Sequence, residues 1–256
     1  MTMLHHHTQG DPSATPIILI HGLFGDGQNL LGLAKGLTDY FVIMPDCRNH
    51  GQSFHHSNMS YPTMANDIIN LMNNYQCSTP IVIGHSMGGK IAMALALQHP
   101  NIIQKLVIMD IAPKQYPPHH LSIIQALQQL DLASFTSKTE AITALAPSIP
   151  NAGLRQFLAK NIARVDGQLC WKINLPAIAD QYNIISGFPV QSNNCQISTL
   201  FIRGTQSNYI EKNDESNIQK LFPKSTFIDI EASHWVHAEK PDQTISTIKH
   251  FLKITD

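Results

Sequence analysis

Neither sign of charge is in excess in this chain of 256 residues, in which 17 Lys and Arg stand against 18 Asp and Glu. A balanced chain projects no long-range field, which argues against nucleic acid or an anionic membrane surface as a partner. No apolar run approaches the ~18 residues that a membrane span requires. The opening Met1–Gly10 lacks a basic segment followed by an apolar one, so no secretory signal is read there. Its His5, His6 and His7 read as a solvated tail. The four cysteines, Cys47, Cys77, Cys170 and Cys195, have no C-x-x-C spacing. That excludes a zinc ribbon and a disulfide framework, and fits reduced thiols in a cytoplasmic protein. H-E-x-x-H does not occur among the 14 histidines, and the His55-His56 and His119-His120 pairs are chain neighbours that seldom share a face. Neither a metal nor another cofactor is therefore expected.

What the chain does carry is an alternation of short apolar runs and helical patterns. Pro16-Ile17-Ile18-Leu19-Ile20 ends in His21-Gly22, Phe41-Val42-Ile43-Met44 ends in Pro45-Asp46, and Lys105-Leu106-Val107-Ile108-Met109 ends in Asp110. Helical spacing separates them: Leu30, Leu31, Leu33, Ala34 and Leu37, then Met64, Ile68, Leu71 and Met72. Such β-α-β repeats need crossover helices and imply a parallel sheet covered on both faces. Ligands on such sheets bind beyond the carboxyl ends of the strands, where His21, Asp46, Ser86 and Asp110 all fall. From Pro113 to Asn194 the apolar strand runs stop. Helical spacing continues instead through Leu121–Leu130, Ala141–Leu145 and Leu154-Phe157-Leu158-Ile162. The strand pattern returns at Thr199-Leu200-Phe201-Ile202 and Thr226–Ile230, with a last helix from about Pro241. The expected organisation is a core of 1–112 and 195–256 interrupted by a helical cap of 113–194.

Gly84-His85-Ser86-Met87-Gly88 spells G-x-S-x-G between the apolar Ile81-Val82-Ile83 and the helical Lys90–Leu97. In that setting the serine sits on a strained strand-to-helix turn, and the two glycines let neighbouring backbone approach. The helix beginning beyond Ser86 leaves the Met87 N–H free to receive a developing oxyanion. A serine hydroxyl needs a general base within hydrogen-bond reach, and imidazole is the usual one. In chains of this type the histidine comes last. His234 and His237 compete, and His234, directly after the final strand loop, is preferred, with His237 as a structural neighbour.

These stretches resemble the α/β-hydrolases along nearly the whole chain. The matching segments are His21–Gly25, Asp46–Ser53, Gly84–Gly89 and His234–Pro241. Arg48-Asn49-His50-Gly51, Gly84–Lys90 and Asp110-Ile111-Ala112-Pro113 are similar, more narrowly, to the bacterial YbfF-type esterases. The resemblance implies an α/β-hydrolase fold, a mostly parallel sheet flanked by helices with a helical cap insertion. It also makes the Leu23 N–H a second oxyanion donor and Phe24 a wall of the acyl pocket. Most α/β-hydrolases place the acid in a G-x-x-D pattern after the resuming strand. Here Gly204-Thr205-Gln206-Ser207 stands there, with Glu211 and Asp214 further on. The closer family implies Asp110 in that role. Ser207 is then expected as a hydrogen-bond partner near His234 or Asp110, and Trp235 as lining beside the base. Asp46, Arg48 and Asn49 read as loop ties, and His50 as an outside candidate for the site entrance.

The implied activity is hydrolysis of a small-molecule carboxylic ester or thioester with a short- to medium-chain acyl group, acyl-CoA included, through an acyl-enzyme on Ser86. A lyase or C–C hydrolase with the same three residues is an alternative within enzymes. A non-catalytic ligand-binding relative is the alternative outside them. Ser86 where a haloalkane dehalogenase needs aspartate disfavours that chemistry.

Overall fold

A computed structural model describes residues 2–189 and 193–254. Nine strands are described: β1 (His6–Gln9), β2 (Pro16–Ile20), β3 (Phe41–Pro45), β4 (Ile81–His85), β5 (Leu106–Met109), β6 (Ile162–Val165), β7 (Gln168–Trp171), β8 (Thr199–Gly204) and β9 (Ser225–Ile230). Seven form one sheet in the order β1-β3-β2-β4-β5-β8-β9. All neighbours in it are parallel except β1, which runs antiparallel to β3. Strands β2, β3, β4, β5 and β8 are buried almost throughout, as their unbroken apolar runs require. The chain lays down β2 and β3 toward one edge, then β4, β5, β8 and β9 toward the other. The order therefore reverses between the β2 and β4 tips, which is where a crevice opens on such a sheet.

The helices are α1 (Leu31–Gly36), α2 (Tyr61–Asn74), α3 (Met87–Gln98), α4 (Leu121–Gln129), α5 (Lys138–Ala144), α6 (Ala152–Ala159), α7 (Leu175–Asp180), α8 (Tyr182–Ser186), α9 (Glu215–Leu221), α10 (Val236–Glu239) and α11 (Pro241–Lys253). One face of the sheet is covered by α2 and α3, through Met64, Ile68, Met72, Ile91 and Leu95. The other is covered by α1 and α11, through Leu33, Ala34, Ile248 and Phe251. Among the described residues, no helix is long and apolar enough to cross a membrane.

Two expectations are corrected. Residues 5–7 are not a free tail: β1 pairs His6 with Pro45 and Gln9 with Val42. His6 Nε2 also meets the Tyr75 hydroxyl at 2.7 Å. Without β1 the backbone of β3 would be an open sheet edge, and pairing closes it. The insertion is also not purely helical, because β6 and β7 form an antiparallel hairpin in it. Asp166 and Gly167 turn the chain at φ 48° and 83°, the pair of left-handed residues that a tight two-residue hairpin turn demands. Helix α6 accordingly stops at Ala159, and Ile162 belongs to β6.

Candidate active site

Ser86 sits between β4 and α3 at φ 53°, ψ −120°, outside the comfortable range of an L-residue. The turn is held shut by close backbone packing. A Cβ on Gly84 would lie 2.3 Å from the Gly88 carbonyl oxygen, and one on Gly88 would lie 2.3 Å from the Ile20 oxygen. Both positions admit only glycine, which explains the spelling of the motif.

Adjacent strand tips supply the other groups. Asp110, at φ 50°, lies one residue past β5. Gly204 closes β8, Ser207 follows it, and His234 stands in the loop after β9. His234 Nε2 lies 2.9 Å from Ser86 Oγ, and its Nδ1 lies 2.8 Å from Asp110 Oδ2. The carboxylate accepts, so the proton belongs on Nδ1 and Nε2 is left to accept from the serine hydroxyl. Asp110 is fully buried. Its Oδ1 accepts the Gly204 N–H at 2.9 Å, and its Oδ2 also accepts the Ser207 hydroxyl at 2.5 Å. Ser207, which stands where a G-x-x-D pattern would place an aspartate, thus hydrogen-bonds the Asp110 carboxylate. Asp214, by contrast, bonds Lys114 Nζ at 2.6 Å and the Glu211 N–H at 2.8 Å.

The imidazole is held from two further sides that no sequence pattern indicated. The Tyr209 ring stacks on it at 3.8 Å and 18°. The His85 Nε2–H donates to the His234 carbonyl at 2.8 Å. Burial, then the neighbouring His237 and His234, keep His85 well below the usual imidazole range, so it remains neutral.

The loop after β2 is pinned by two more neutral histidines. His21 Nδ1 donates to the Gly22 carbonyl at 2.7 Å, while its Nε2 accepts the Cys47 N–H at 2.9 Å. His50 Nε2 accepts the Phe24 N–H at 3.2 Å. Burial pushes His50 down to about 3. Thus His50 braces the loop rather than lining the entrance. Phe24 itself sits at φ 63°. Among the described residues, the Leu23 and Met87 N–H groups have no hydrogen-bond acceptor, and both residues border the cavity at Ser86. Asp46, though at a strand end, does not join Ser86. Its oxygens take the Gly27 and Gln52 N–H groups, each at 2.8 Å, and His5. Arg48 pairs with Asp67 and Asn49 bonds the His56 backbone, so both tie loops. His5, His7 and Asp46 bring potential metal-ligand atoms within 4.8 Å of one another. Asp46 already accepts the Gly27 and Gln52 backbone N–H groups there.

Two lobes meet at Ser86. The smaller encloses about 30 Å³ and is bordered by Met87, Lys90, Ile111, Tyr61, Tyr116 and Ile185. The larger encloses about 190 Å³ and is bordered by His234, Phe24, Trp235, Ile123, Leu154 and Phe157. The floor of the smaller lobe holds a buried ammonium. Lys90 Nζ donates to the carbonyls of Lys114, Ser186 and Gly187 at 2.9, 2.9 and 2.6 Å. It also lies 4.6 Å from the Tyr116 ring centre. Burial, then the nearby Lys114 charge, push its pKa down to about 7. Lys90 therefore bolts the end of α8 to the elbow helix.

The profile of the α/β hydrolase fold family matches residues 15–241. The chain belongs to the α/β-hydrolase family. This α/β-hydrolase is 38% identical over 254 residues to the sn-1-specific diacylglycerol lipase ABHD11 of Danio rerio, covering 95% of this chain and 80% of that one. It is 36% identical over 250 residues to esterase YbfF of Escherichia coli strain K12, covering 95% of each. Among solved structures it superposes on a marine microorganism esterase with TM-score 0.94 and 37% identity, covering 98% of this chain and 100% of that one.

Proposed function

We propose that this α/β-hydrolase cleaves carboxylic esters through an acyl-enzyme on Ser86. The observation that carries the reading is the continuous hydrogen-bond chain Ser86–His234–Asp110 facing two unpaired N–H groups. Ser86 Oγ attacks the acyl carbon while its proton moves to His234 Nε2. The Leu23 and Met87 N–H groups receive the oxyanion. Asp110 holds the tautomer and stabilises the imidazolium without taking the proton. His234 then gives its proton to the leaving oxygen, and water, deprotonated by the same nitrogen, releases the acid. The names of the lipase and esterase relatives support this chemistry.

The proton route assigns the two lobes. The leaving oxygen must meet His234 Nε2, so the leaving group occupies the larger lobe, which His234 borders, and the acyl group the smaller one. On this assignment Phe24, expected as a wall of the acyl pocket, instead flanks the leaving group together with Trp235. The core of 1–112 and 195–256 supplies the reacting groups, and the cap of 113–194 supplies much of both walls. A thioester would pass through the same acyl-enzyme with a thiol leaving.

The test is Ser86→Ala. Hydrolysis of p-nitrophenyl butyrate is expected to fall by about 10⁵-fold or more, with circular dichroism unchanged and fluorophosphonate labelling abolished. Retention of a tenth of the activity would remove Ser86 from the reaction. A wild-type protein that neither labels nor turns over would favour a ligand-binding role.

A further inference from the structure

The larger lobe differs in character between its two sides. Its cap side presents Ile123, Leu154 and Phe157 beside His119 and His120, while its core side presents Asn29 and His237. None of the residues bordering it is Asp, Glu, Lys or Arg. His237 projects from α10 with its ring edge-on to His85 at 4.5 Å. Its Nδ1 is fully buried and has no hydrogen-bond partner. Its Nε2 bonds nothing among the described residues either but is not among the buried atoms, and His237 borders the lobe. Burial, then His234, push His237 down to about 4, so the ring is neutral near pH 7. Asn29 Oδ1 accepts the Asp26 N–H at 3.1 Å. Its amide NH₂ has no acceptor among the described residues.

The His237 Nε2 and the Asn29 NH₂ thus have unused hydrogen-bonding capacity, which water meets when the lobe is empty. The His237 ring packs on His85, but that contact uses neither of its nitrogens. A polar group on the ligand can take the place of that water. That group is uncharged, because the lobe offers no counter-charge to a phosphate or an ammonium and a buried unpaired charge is strongly disfavoured.

We propose that His237 and Asn29 form a hydrogen-bonding subsite for a further hydroxyl on the leaving alcohol, making monoesters of neutral diols and polyols the preferred substrates. This rests on the ester-hydrolase reading and on the lobe assignment above. A leaving group that carries a phosphate within this lobe finds no partner there.

The experiment compares glycerol 1-monobutyrate with n-propyl butyrate, which share the acyl group and a three-carbon leaving chain but differ in the free hydroxyls. The wild-type protein should favour the glycerol ester about tenfold in kcat/KM, equivalent to about 1.4 kcal/mol. His237→Leu should bring that ratio close to one, and His237→Gln, which keeps a hydrogen-bonding group, should recover most of it. Asn29→Asp keeps the acceptor for Asp26 but removes the NH₂, and should lower the ratio without depending on the fold of the His237 variants. Equal rates on the two esters, with p-nitrophenyl butyrate still cleaved, would overturn the subsite alone. So would His237→Leu slowing both esters alike. Failure of the wild type on every ester would overturn the hydrolase reading and the subsite together.

Discussion

Replacing Asp110 by Asn changes one atom and reverses the hydrogen-bond polarity of half the side chain. Three donors converge on the carboxylate: His234 Nδ1–H at 2.8 Å, the Ser207 hydroxyl at 2.5 Å and the Gly204 N–H at 2.9 Å. An amide offers a single acceptor oxygen. If that oxygen keeps the Gly204 N–H, the NH₂ faces His234 Nδ1 and forces its lone pair inward. The proton then moves to Nε2, which can no longer accept from Ser86. If the amide is turned over, its NH₂ meets the Gly204 N–H and a buried donor loses its partner. The first arrangement avoids that clash and is the one expected. A wrong tautomer of this kind lowers turnover by roughly 10⁴-fold, and the lost hydrogen bonds lower stability by about 1–3 kcal/mol. The assay is kcat/KM on p-nitrophenyl butyrate, with urea denaturation to confirm that the variant is folded. Asp214→Asn is the control, because that carboxylate bonds Lys114 and the Glu211 N–H rather than His234, and its kcat/KM should stay within about threefold. Asp110→Asn keeping more than a tenth of wild-type activity, or Asp214→Asn collapsing, would falsify the assignment of the acid.

Three further outcomes follow from the geometry. A smaller lobe of about 30 Å³ has little room beyond a short tail, so p-nitrophenyl acetate to butyrate should outpace the octanoate. Ile185→Ala should move the optimum to longer acyl groups, and an octanoate optimum in the wild type would refute the lobe assignment. Lys90→Met leaves three carbonyls without their donor, for an expected loss of about 2–4 kcal/mol in denaturant unfolding. It should also raise KM more than it lowers kcat, and a variant with wild-type stability and KM would show that the bolt is idle. His50, His120 and His237 have folded pKa values of about 3, 4 and 4, depressed chiefly by burial. The unfolded chain therefore binds protons that the folded one refuses as pH falls from about 6.5 toward 4. Stability should drop over that window by up to about 1.4 kcal/mol per pH unit for each histidine. Unfolding midpoints that are flat or rising between pH 7 and pH 5 would contradict it.

The inner strands were legible because strands buried on both faces must be continuously apolar. The elbow was legible because Gly84 and Gly88 answer to a steric demand that no other residue meets. Asp110 was harder. Its position at a strand end is visible in the pattern, but so are those of His21 and Asp46, which serve the loops instead. Only the resemblance to YbfF-type esterases singled it out, together with the serine at 207. Strand β1 escaped notice because His6-His7-Thr8-Gln9 has no apolar alternation, and its pairing is set by an open edge far away in the chain. The β6–β7 hairpin did leave a signal in Asp166-Gly167, which the helical spacing around it overrode. Tyr209, His85 and Lys90 act through contacts across the fold, and no local pattern announces such contacts.

The Lys90 bolt also divides the insertion mechanically. Residues 161–187 are fastened to the core by Lys90, by the Tyr61 hydroxyl on the Ile185 carbonyl, by Asn161 on Phe24 and by Asn174 on Asn49. Among the described residues, no hydrogen bond joins 121–160 to the core. The rigid half closes one end of the catalytic chamber, whereas Ile123, Leu154 and Phe157 belong to the half held by packing alone. On the ester-hydrolase reading proposed above, such a chamber would measure one part of its substrate strictly and accommodate bulk in the other, where greasy side chains can slide past one another while the reacting atoms stay still.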